Sequence, residues 1–171
     1  GESDHLVNET TGGWSASPLT TRGQTQAKKT GQTVAAKLPC DTFGFYASDL
    51  PRAKQTAEII GSTINVAPVL CPELRELNNG VARNMPLAEA ERLRLPVTEP
   101  IVEWIPYAEA ESWGMMARRV MTWMARMVGS AQSDTILIVS HGNAMTAMVH
   151  WWLRLHEAYF SRVSYDFDCC S

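Results

Sequence analysis

The chain has 171 residues, enough to bury one sizeable core and too few for a large multidomain enzyme. Hydrophobic residues make up 45% and charged residues 19%, which excludes a disordered chain and a coiled coil. Lys plus Arg is 15 and Asp plus Glu is 18, a net charge of −3, so the chain is not a general nucleic-acid binder.

Residues 1–19 are rich in Gly, Ser, Thr and Asn and read as a loop. A helix is predicted over 20–37, capped by Thr20 or Thr21, with Ala27 and Val34 on its apolar stripe. Residues 42–48 read as a strand. A second helix follows over 51–62, capped by Ser48 or Asp49, with Pro51 in its first turn and Gly61 at its end. Residues 65–70 read as a short edge strand because of Pro68. Residues 71–108 hold five prolines (Pro72, Pro86, Pro96, Pro100 and Pro106) and read as a cover insertion with a short helix near 86–95. A long helix is predicted over 109–129. Residues 135–140 form an unbroken apolar run, the pattern of a parallel strand buried on both faces. A helix over 143–155 and an alternating last strand over 162–168 complete the chain. The expectation is a single α/β domain over 1–171. It is a three-layer sandwich with a mostly parallel central sheet flanked by helices and a short cover insertion at about 71–108.

Cys40, Cys71, Cys169 and Cys170 contain no C-x-x-C pair, a poor framework for disulfides or zinc. They read as reduced thiols of a cytoplasmic protein. No stretch approaches the ~18 apolar residues of a membrane span, so neither a membrane nor a nucleic acid is an expected partner. A homo-oligomer is compatible with the sequence.

Ligands of open α/β sheets bind beyond the C-terminal ends of strands. Two such ends carry unusual residues, Ser48-Asp49-Leu50-Pro51-Arg52 and Ser140-His141-Gly142-Asn143. His141 precedes a helix whose free N–H groups favour an anion, and Gly142 permits close approach of a ligand. Arg52 is placed to fork onto carboxylate or phosphate oxygens. A capping His and a surface Arg are the plainer alternative. His5 either reaches a ligand or is a solvated loop residue. His156-Glu157 does not complete H-E-x-x-H, because position 160 is Phe, and no G-x-S-x-G elbow or P-loop occurs.

These segments resemble the histidine phosphatase superfamily in its phosphoglycerate mutase-like branch. Gly1-Glu2-Ser3 is similar to the end of the family's Arg-His-Gly-Glu-Ser/Thr signature. Gly13-Trp14, Pro18-Leu19-Thr20 and Gly23 resemble its next segment. Ser48 to Ala57 is very close to Ser-x-Leu-x-Arg-Ala-x-Gln-Thr-Ala, and Val139 to Asn143 is similar to its second His motif. Glu73 to Gly80 resembles the acidic segment, with a weaker match at Glu111-Ser112 and Arg119-Val120.

The resemblance implies metal-independent hydrolysis of a small-molecule phosphomonoester through phosphohistidine, with no cofactor. It assigns Arg52 and His141 to the phosphoryl oxygens and Glu76 to proton transfer with the leaving oxygen and water. Asn8, Gly142, Asn143, Glu2 and Ser3 become candidate substrate contacts. The family's nucleophilic His and first pocket Arg fall immediately before Gly1. The expectation is therefore a single domain lacking the first central strand and part of the last one, and inactive if the molecule truly starts at Gly1. Mutase-type phosphoryl transfer and a non-catalytic phospho-ligand binder are the alternatives. The short cover favours access of water, hence phosphatase over mutase. The tryptophans at 104, 113, 151 and 152 read as core and cover packing.

Overall fold

A computed structural model of the chain describes residues 1–38, 42–130 and 133–169. Its sheet is parallel, with β1 (Gly44–Ala47) between β2 (Val69–Leu70) and β3 (Ile136–Val139). The register pairs Tyr46 with Val69 on one side and with Ile138 on the other. β2 is the edge strand that Pro68 predicts.

Alternation along the strands sends side chains to opposite faces. Phe45, Ala47, Leu137 and Val139 meet Ala57 and Ile60 of α3 (Pro51–Ile64) and Val34 of α2 (Thr21–Lys37). Tyr46 and Ile138 turn the other way, onto Met116, Val120 and Trp123 of α5 (Trp113–Ser130) and Ala144 and Ala147 of α6 (Gly142–Trp152). Tyr46 and Trp123 meet edge to face at 5.4 Å. The sandwich has the expected three layers.

Local signals explain most boundaries. Thr20 caps α2, its Oγ1 accepting from the Gly23 N–H at 3.0 Å. Gly23 is required by a close approach: a Cβ there would collide with the Glu2 carbonyl, which itself accepts from the Thr20 N–H at 3.1 Å. The N-terminal segment is thereby laid across the start of α2.

Several expectations need correction. The first segment is not all loop, because Asp4–Val7 forms a single turn, α1. Helix α3 is not capped by Ser48 or Asp49. Its N-cap is Leu50, while Ser48 turns to His141 and Asp49 to Arg75. Nor does Gly61 end it. The helix runs to Ile64 and closes on Asn65 in the left-handed region, and Gly61 instead lets the returning chain approach, its carbonyl accepting from the Val66 N–H. Helix α5 starts at Trp113, not 109, because the Ser112 hydroxyl accepts from the Met115 N–H at 3.1 Å. The cover contains the short helix α4 (Leu87–Arg92).

β3 is half-buried, not buried on both faces, because among the described residues no strand pairs with its outer edge. For the same reason 162–168 is irregular and not a strand. This segment is tied down where His150 Nε2 donates to the Val163 carbonyl at 2.9 Å. Of the cysteines, Cys71 is a buried thiol, and Cys40 and Cys170 lie outside the described residues. No helix among those residues is long and apolar enough to cross a membrane.

Leu74, two residues before Glu76, is fully buried in the core cluster with Met116, Val120 and Ala144. Leu74→Ala is expected to cost about 2–5 kcal/mol, read as a lower urea midpoint with an unchanged slope.

Candidate active site

Both strand ends singled out in the sequence open on one cavity of about 560 Å³. Arg52, Glu76, His141, Gly142, Asn143 and Ser3 line it, as do His5 and Gly1. It extends along β3 to the segment 167–169, where its walls become apolar.

Arg52 sits in the first turn of α3 and is buried. Its Nη2 donates to the Gly13 carbonyl at 2.8 Å, which fixes the guanidinium. Gly13 adopts φ +52° there, a conformation that favours glycine. The other terminal nitrogen, Nη1, is buried without a partner. A buried cationic N–H with no acceptor among the described residues is costly.

His141 is the N-cap of α6 and is buried. Its Nε2 lies 2.8 Å from the Ser48 hydroxyl. Burial first, then the charge of Arg52 and the neighbouring His5, pushes its pKa well below the usual imidazole range. The ring is neutral at pH 7. Gly142 begins α6 with open space where a Cβ would stand, so the helix N-terminus is accessible.

Glu76 reaches the same N-terminus. One carboxylate oxygen accepts from the Leu77 N–H at 2.8 Å and the other from the Asn143 N–H at 3.3 Å. Burial pushes its pKa up against these hydrogen bonds and against Arg52. The protonated carboxyl is therefore favoured more than in an exposed glutamate.

Sequence reasoning left His5 undecided. The structure sets its ring on the cavity wall over Gly12, with Nδ1 3.0 Å from the Ser3 hydroxyl. Burial, then Arg52, lowers its pKa to about 4. Two predicted contacts lie elsewhere. Glu2 faces away from the cavity, accepting from the Thr20 hydroxyl at 2.8 Å and pairing with Arg22 at 3.2 Å. Its charge is used at the N-terminus of α2. Asn8 is exposed at the end of α1 and is not part of the cavity wall. Arg75, a possible anion ligand from sequence, is held by Asp49 through two bonds of 2.7 and 2.6 Å.

A fixed arginine with an unpartnered N–H, two imidazoles and a carboxyl with a raised pKa thus meet at the N-terminus of one helix. The sequence pattern of the histidine phosphatase superfamily (branch 1) matches residues 1–171. A probable phosphoglycerate mutase GpmB of Erwinia tasmaniensis is 36% identical over 142 residues, covering 80% of this chain and 64% of that protein. The chain thus spans less than two thirds of that relative's length. Two solved structures share the fold. A mycobacterial glucosyl-3-phosphoglycerate phosphatase complexed with VO3 has a TM-score of 0.82 at 23% identity, over 96% of this chain and 83% of its own. The alpha-ribazole phosphatase of Shigella flexneri has a TM-score of 0.81 at 22% identity, over 97% and 82%. The chain belongs to the histidine phosphatase superfamily.

The imidazoles make a stability prediction with a definite sign. A folded pKa of about 4 against 6.5 for His5 contributes stability that is present above pH 6.5 and is lost as pH falls toward 4. His141 acts in the same direction. The raised pKa of Glu76 acts oppositely, its contribution being lost as pH rises. Thermal melts should therefore drop from pH 7 to pH 4.5, and His5→Gln should flatten that drop. An unaltered slope in the variant would count against a neutral, half-buried His5.

Proposed function

We propose that this domain hydrolyses a phosphomonoester through a phosphohistidine intermediate. The observation that carries the reading is the buried, unpartnered Nη1 of Arg52 in a cavity shared with His141 and Glu76. Arg52 and His141 donate to the non-bridging oxygens, where charge is concentrated in the transition state. The nucleophile is the histidine that the family pattern sets immediately before Gly1, whose own backbone lies at the cavity wall.

In the first step the histidine nitrogen bonds to phosphorus, the ester P–O bond breaks, and the leaving oxygen takes the Glu76 proton. In the second, the Glu76 carboxylate takes a proton from water, the water oxygen bonds to phosphorus, and the P–N bond breaks. The raised pKa of Glu76 suits both roles. Gly142 and Asn143 border the phosphoryl position at the start of α6. Glu2 and Asn8 are given no role at the phosphorus. The substrate is a small phosphomonoester.

The sequence similarity to a probable phosphoglycerate mutase favours a second reading, in which the phosphoryl group returns to the organic acceptor. With 3-phosphoglycerate, free phosphate supports hydrolysis and 2-phosphoglycerate supports the mutase.

In the protein as encoded by its gene, Arg52→Ala should lower kcat/KM by about 10²–10³-fold. Glu76→Gln should lower it by about 10²–10⁴-fold for alkyl phosphates and far less for 4-nitrophenyl phosphate, whose leaving group needs no proton. Full activity in both variants would reject the reading.

A further inference from the structure

We propose that the Ser48 hydroxyl sets the tautomer of His141, holding it as a neutral imidazole with its proton on Nδ1, where it faces the cavity as a donor. The argument is a count of hydrogen-bond capacity. Ser48 is fully buried at the end of β1. Its Oγ accepts from the Leu50 N–H at 3.3 Å and lies 2.8 Å from His141 Nε2. A hydroxyl has one proton to donate. Among the described residues, His141 Nε2 is the acceptor within its reach.

If Nε2 carried the imidazole proton and donated to Oγ, the hydroxyl proton would be left buried without an acceptor. That arrangement forfeits a bond the site can otherwise make. With the hydroxyl donating, every polar atom of the pair is used, and the ring proton moves to Nδ1. Nδ1 has no partner among the described residues and is not one of the buried unpartnered atoms. It opens on the cavity that His141 lines. The backbone on both sides is fixed: the Ser48 N–H donates to the Val139 carbonyl at 3.0 Å, and the Ser140 hydroxyl donates to the Leu74 carbonyl at 2.8 Å. Ser48 is thus a positioning residue. Its role in turnover rests on the phosphatase reading, but the tautomer does not.

The charged and titratable groups facing His141 are Arg52 from α3, His5 from α1, Glu76 from the segment after β2, and Arg119 from α5.

The test is ¹⁵N NMR of the intact protein labelled at histidine, with the His141 signal assigned by its loss in His141→Gln. At pH 7.5 the expected pattern is a protonated Nδ1 and a bare Nε2, and inorganic phosphate should shift the Nδ1 proton. A protonated Nε2 in the wild-type protein overturns the proposal without any variant having to fold. Ser48→Ala should convert the signal to a mixture and lower kcat about 10- to 100-fold with little change in KM, and Ser48→Thr should restore both. A Ser48→Ala enzyme with unchanged tautomer and kcat overturns it as well. A protein that shows the Nδ1 proton yet releases no phosphate upholds the tautomer and refutes only the phosphatase reading.

Discussion

The site depends most on one guanidinium outside it. Arg119 on α5 donates to the carbonyls of Glu73 at 2.6 Å, Arg75 at 3.1 Å and Glu76 at 3.3 Å, while pairing with the Glu111 carboxylate at 2.8 Å. The segment from Glu73 to Glu76 has no ladder of its own, so its carbonyls need donors from elsewhere. Arg119 supplies them from one planar fork. Trp14 adds its indole N–H to the Glu76 carbonyl at 2.7 Å, and Arg75 stacks over the same indole at 4.7 Å. The carboxyl of Glu76 is thereby aimed at α6 by groups that never touch it.

The charge arrangement inside the cavity follows from that frame. Arg52 is the fixed cation of the wall, and its field with burial keeps His5 and His141 neutral. Neutral rings can donate through one nitrogen while the other is held, which suits them to orienting an anion. Glu76 experiences the opposite balance. Burial outweighs the pull of Arg52 and of the hydrogen bonds from Leu77 and Asn143, so its protonated form is favoured.

Much of this was readable from residue order. The Ser48 to Ala57 and Val139 to Asn143 motifs located Arg52 and His141, because both sit where a strand hands over to a helix and local sequence fixes that junction. Helix α2 was readable for the same reason, through its Thr20 cap. What stayed hidden depends on distant partners. The strand-like alternation at 162–168 was a true pattern without a ladder to join among the described residues. Glu2 belonged to a motif, yet its side chain is claimed by Thr20 and Arg22 of the next helix. Nothing in the sequence marked His5 as half-buried on the cavity wall or Ser48 as the neighbour of a histidine 93 positions away. The spacing of Arg119 and Glu111 on and just before one helix was the signal for the hub, but its acceptors are backbone carbonyls, which carry no sequence signature.

On the proposed phosphatase reading, the same electrostatics constrain how an anion enters. A dianion bound at Arg52 neutralises the field that, after burial, most disfavours the charged forms of His141 and His5. It also places negative charge beside Glu76, whose proton is already favoured. All three groups are then driven toward proton uptake, and by linkage the anion binds more tightly where those protons are available. For the two imidazoles, the largest charge that couples ligand to proton inventory is Arg52. An arginine suits this role better than a lysine, because a lysine in the same buried position would lose its own proton before it could hold theirs in check.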